Sequence, residues 1–170
     1  MNRWNLFIKW LAYGLTLIPV WILERLILSR FPLFGVIPML LPFAAVMVGM
    51  MEGMQAGAGF GLATGLLCDM LYYGTNGGMT IGITLLGAAA GFAAHRGLRQ
   101  NLPGCMLCCA AALLIIDAFR VSIRFLFHSV PLGPLLRVAL LETVWSLIFA
   151  PAVYLLFRAT YRKVGGTTLM

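Results

Sequence analysis

The chain is 170 residues long, 62% hydrophobic and only 10% charged, with a mean hydropathy of +0.97 and a formal net charge of +7. A soluble domain of this size needs far more charge to cover its surface, so the composition excludes one and points to an integral membrane protein. The basic residues fall between apolar runs and not on one polar face, so they read as topology signals and lipid-headgroup contacts, not as a nucleic-acid-binding surface.

A helical crossing takes roughly 20 mainly apolar residues, which leaves room for about six crossings joined by short loops. The apolar stretches are continuous and do not alternate, which argues against a β-barrel. The expected fold is therefore all-α, a single transmembrane domain over residues 1–170.

The first run, about residues 7–28, follows the short basic flank MNRWNLFIKW. No A-x-A-like site follows it, so an uncleaved first crossing is expected. After a break containing Arg30 and Pro32 comes a second run, about 36–51, with Pro38 and Pro42 placed in early helical turns, where proline removes no needed donor. A tight connection at 52–56 leads to a third run, about 57–73. The GTNGG of 74–78 is a turn by chemistry, since Gly and Asn accept positive φ. The fourth run takes about 79–94, followed by a polar loop at 95–103. The fifth is about 104–127, then a break at 128–134, and the sixth about 135–157, closed by a basic tail of Arg158, Arg162 and Lys163. On the N-terminal side of the membrane this arrangement collects Arg3, Lys9, Arg96, Arg99, Arg158, Arg162 and Lys163. The other side has Arg25 and Arg30, with Arg124 and Arg137 near helix ends. That bias predicts both termini in the cytoplasm.

All five acidic residues lie in or at the edge of apolar runs, where an ionised group needs a partner or a wet cavity. Asp69, near the end of the third run, could serve a proton relay or a ligand. The structural alternative is favoured: it holds the following turn through backbone N–H groups or pairs with an Arg from another helix. Asp117, Arg120 and Arg124 fall at i, i+3 and i+7 on one helical face, either a polar binding site or a structural pair with Arg124 reaching the headgroups. Glu24 and Glu142 are lone acids that could pair with an Arg elsewhere. Cys68, Cys105, Cys108 and Cys109 lack a polar shell or a second cluster, and no H-E-x-x-H, G-x-S-x-G or P-loop spacing occurs. Neither a metal nor a cofactor nor a catalytic residue is expected.

Glycine makes the strongest pattern. Gly49, Gly53, Gly57, Gly61 and Gly65 repeat every four residues and Asp69 takes the next place; Gly78 and Gly82, then Gly87 and Gly91, repeat the spacing in the fourth run. Small residues at this interval let helix backbones approach, so the third and fourth helices are expected to pack tightly, with Gly57, Gly61, Gly65, Gly87 and Gly91 in the contact.

The stretch GAGFGLATGLLCDMLYYGTNGG, residues 57–78, resembles the central signature of the rod shape-determining protein MreD family: a Gly-rich helix running into G-L-x-x-D, then glycines, then a small-residue helix. Gly65, Leu66 and Asp69 match the G-L-x-x-D, and Gly74 and Gly77 stand in the turn after it. Residues 57–94 carry nearly all of the likeness; the outer runs agree in hydropathy. The resemblance implies a non-enzymatic scaffold of the bacterial cell-elongation machinery in the plasma membrane, beside a bitopic MreC-like partner. Through it the complex would join the actin-like MreB filament to peptidoglycan synthesis by RodA and a penicillin-binding protein. The family is also similar to the six-helix S components of energy-coupling-factor transporters, which supplies an alternative: a vitamin-binding transporter subunit. Such a subunit needs an aromatic and polar pocket near the outer loops. Trp21, Arg124 and His128 could contribute, but the loops are short and poor in polar residues.

Overall fold

The computed structural model describes residues 3–30, 36–71, 77–97, 102–128 and 132–164, and its regular elements are helices. Helix α1 (Arg3–Ile22) runs into a π-helical turn (Leu23–Ile27) and a short 3-10 turn (Leu28–Arg30). Then follow α2 (Leu41–Glu52), α3 (Met54–Leu71), α4 (Gly78–His95), α5 (Leu102–His128) and α6 (Leu132–Val164).

Helix α2 is the axis of the molecule. Every residue from Leu41 to Met51 is buried, and α2 touches each of the other five helices. A helix apolar on all sides can be satisfied only in this way, surrounded by its own chain. Around it, α3 and α4 pack against each other and against α2, α5 pairs with α6, and α1 lies on α6. An aromatic cluster of Tyr13, Phe60 and Phe157, with ring centroids 6.1–6.4 Å apart, fastens α1, α3 and α6 at one end. The outside is apolar as well: Leu11, Met70, Leu85, Leu107, Leu126 and Ile148 are all exposed, the surface of a molecule whose solvent is lipid.

Among the described residues, four stretches are long and apolar enough to cross a bilayer: Phe7–Ile27, Gly78–His95, Leu102–Leu126 and Leu132–Val164. Helix α3 has 18 residues, but its glycines, Gln55, Thr64 and Asp69 dilute its apolarity. Helix α2 is shorter than the sequence suggests. It begins at Leu41 and not near Val36, because Pro42 sits in its first turn while Pro38 lies ahead of it in non-helical backbone. Proline starts a helix well and disfavours helical backbone in the residue before it. With 12 residues α2 is about 18 Å long. Conversely, α6 runs on to Val164, so Arg158, Arg162 and Lys163 are not a tail but the helix's last turns, where cations suit the negative end of the helix dipole.

Candidate functional site

The glycine repeat builds a three-helix core. A Cβ placed on Gly57 would lie 2.2 Å from the carbonyl oxygen of Gly87 and 2.6 Å from the Cα of Gly49. One on Gly87 would lie 2.3 Å from the oxygen of Gly57, and one on Gly91 2.4 Å from the nitrogen of Met54. A Cβ on Gly61 would lie 2.7 Å from the carbonyl oxygen of Ile83, and one on Gly65 2.6 Å from the Cα of Thr80. In every case the obstacle is backbone, which cannot swing aside. The contact is wider than a pair of helices: a Cβ on Gly49 of α2 would lie 2.3 Å from the carbonyl oxygen of Gly87, so α2, α3 and α4 share one seam. Gly53, at φ 100°, reverses the chain between α2 and α3 with a single residue. Gly82, in the same repeat, has nothing within 4 Å and takes no part.

Asp69 ties α3 to the start of α4. Its Oδ2 accepts the backbone N–H of Thr80 at 2.9 Å and also the Thr80 hydroxyl, so one carboxylate oxygen caps the first turn of α4 from a neighbouring helix. Gly77, at φ 82°, is the left-handed residue from which α4 begins. Gly74 lies outside the described residues. Beside this latch, Arg25 Nη2 donates to the carbonyl of Leu71 at 2.6 Å, holding the end of α3 to the π-helical turn after α1.

The third constellation clamps α5 to α6. Arg120 Nη1 donates to Asp117 Oδ1 at 3.3 Å and to both oxygens of Glu142, at 2.9 and 3.1 Å. Thr143 donates its hydroxyl to Asp117 Oδ2 at 2.9 Å. Asp117 and Glu142 are buried and Arg120 half-buried. Arg124, one turn further along α5, is exposed and lines the mouth of a cavity of about 140 Å³ with Val121, Pro134, Leu135, Val138 and Ala139; the clamp residues form its floor. The four cysteines are free thiols, and among the described residues no group of three or more His, Cys, Asp or Glu could hold a metal ion.

A family model described as rod shape-determining protein MreD matches residues 6–160. The chain belongs to the MreD family. The match runs from α1 into α6, so it takes in the glycine core, the Asp69 latch and the α5–α6 clamp together. No curated protein and no solved structure matches the chain. Membership of the MreD family assigns the protein a role in determining rod shape, as a membrane protein.

In this MreD-family chain the structure also joins residues that the sequence leaves apart. Asp117 and Arg120 meet as their spacing suggests, and Glu142 finds its Arg in Arg120. Glu24 takes two backbone donors: its Oε2 accepts the N–H groups of Leu40 and Leu41, both at 2.9 Å, at the head of α2. Ser146 accepts the N–H of Met39 at 2.9 Å. Non-helical backbone inside a membrane is tolerated only when protein groups satisfy it in this way. At the other end of α2, Glu52 accepts from Lys9 and, at 2.7 Å, from Tyr13. One hint of the contacts made by α6 exists in the sequence: Glu142, Thr143 and Ser146 are polar positions in the otherwise apolar stretch 138–157. His128's side chain is outside the described residues, and Trp21 is exposed and absent from the α5–α6 cavity lining.

Proposed function

We propose that this protein is a non-enzymatic scaffold of the bacterial cell-elongation machinery in the plasma membrane, where it binds an MreC-like bitopic protein. Through that partner it couples the actin-like MreB filament to peptidoglycan synthesis by RodA and a penicillin-binding protein. It crosses the membrane six times with both termini in the cytoplasm. The second crossing combines the non-helical residues 36–40 with α2, because α2 alone, about 18 Å long, is shorter than a core about 30 Å thick.

The observation that carries this reading is α2. A carrier of small molecules needs an internal pocket, commonly about 300–1,000 Å³. Here the middle of the bundle is filled by a helix buried along its length and held by backbone contacts through glycine. The cavity between α5 and α6, about 140 Å³, is below that range. A filled, rigid interior suits a protein that works by the shape of its outer surface.

Co-purification of the tagged protein from its native membrane tests the proposal. Recovery of an MreC-like single-span protein is the expected result. Recovery of an ATPase pair with a coupling subunit, or of a tightly bound vitamin, would overturn it in favour of a transporter subunit.

A further inference from the structure

The cavity between α5 and α6 is unused by the scaffold reading. Its mouth, at Arg124, lies one turn from the end of α5 and near the end of the apolar stretch Leu102–Leu126, which is long enough to cross a membrane. The pairings Arg120–Glu142 and Asp117–Thr143 fix the register of the two antiparallel helices. In that register Arg124 and Arg137, both exposed, stand at nearly the same height, as two cations facing one plane of phosphates would. Arg124 makes no hydrogen bond or ion pair among the described residues and feels Glu142 only through space. Below it the walls are apolar: Val121, Leu135, Val138 and Ala139. The floor, about 6–10 Å deeper, sets two carboxylates against one guanidinium.

We propose that this cavity binds the phosphate group of a membrane lipid, with Arg124 as the phosphate ligand and the apolar wall receiving the start of an acyl or prenyl chain. The guanidinium offers charge-assisted donors suited to a phosphate oxygen pair. The acidic floor repels an anion from the deeper part of the cavity and so holds the phosphate at the mouth, the depth at which lipid phosphates lie. The recognised chemistry is a phosphate ester; the height of the site assigns it to a lipid over free phosphate.

The test is native mass spectrometry of the full-length, delipidated protein in mild detergent. It is titrated with phosphatidylethanolamine, with diacylglycerol carrying the same chains, and with inorganic phosphate. The expected result is a discrete phosphatidylethanolamine adduct that weakens about ten-fold or more in R124Q and is unchanged in R162Q, at the far end of α6. V138W, which fills the apolar wall and leaves Arg124 in place, also loses the adduct, while diacylglycerol binds poorly throughout. Equal binding of phosphatidylethanolamine by R124Q and the unaltered chain would overturn the proposal, as would diacylglycerol binding as well as the phospholipid. An R124Q-sensitive adduct of inorganic phosphate, with no phospholipid adduct, would remove the lipid and leave a site for the free anion.

Discussion

Gly82 and Gly87 stand on the same helix and meet opposite surroundings. A Cβ on Gly87 runs into the backbone of Gly57, whereas one on Gly82 meets open space. Gly87→Ala is therefore expected to lower stability by about 1–3 kcal/mol, since overpacking against backbone has no side chain to displace. Gly82→Ala is expected to raise it by about 0.5–1 kcal/mol through helix propensity alone. Thermal unfolding of both variants in detergent checks the pair; equal behaviour would show that α3 and α4 do not approach as described. Asp69 is a second discriminating residue. Asp69→Asn keeps an acceptor for the Thr80 N–H and should be mild, while Asp69→Leu strips the first turn of α4 of its cap, at roughly 1–3 kcal/mol. The same unfolding measurement separates them, and a harmless Asp69→Leu would remove the latch from the account.

Helix α2 shows how an element can be legible in type and misleading in extent. Its all-round apolarity marks it as buried, but the register of its start depends on Glu24, which is fully buried in the π-helical turn after α1. A carboxylate at a helix N-terminus satisfies free N–H groups and suits the dipole. Glu24→Leu is expected to leave the N–H groups of Leu40 and Leu41 without this acceptor and to destabilise by about 2 kcal/mol or more. Glu24→Gln, which keeps an acceptor, should recover most of the loss; equal losses in the two variants would show that hydrogen bonding at α2 is not Glu24's role. The α5–α6 clamp has a different logic. Arg120→Met leaves Asp117 and Glu142 facing each other without a cation, at about 3 kcal/mol. The triple replacement of Arg120 by Met, Glu142 by Met and Asp117 by Leu, which removes all three charges, is expected to be more stable than Arg120→Met alone. A triple variant less stable than the single one would mean that the clamp contributes net attraction.

At the scale of the molecule, the outer surface is apolar and the interior holds ion pairs, the inverse of a soluble domain. The charge bias, with Lys9, Arg96, Arg158, Arg162 and Lys163 toward one end of the bundle, makes its orientation testable. A reporter active only in the cytoplasm, fused after Met170, is expected to be active. An inactive reporter on an inserted protein would overturn the cytoplasmic C-terminus and mean either an inverted orientation or an odd number of crossings.

The sequence by itself determined the class, the number of helices and which small residues share a helix face. A hydrophobic run about the length of a bilayer has few alternatives to a helix, and glycine every four residues has little use on a helix except close approach. The G-L-x-x-D stretch carried the family for the same reason: it is local, and local patterns survive in one dimension. Tertiary structure decided the partners. That Gly49 joins Gly57 and Gly87, that Glu24 serves the head of α2, and that Gly82 is idle all depend on which helix lies where. Sequence spacing reports only which residues share a face. A buried carboxylate must find donors, but whether they are side chains from a distant helix or the open end of a short one is settled when the helices pack.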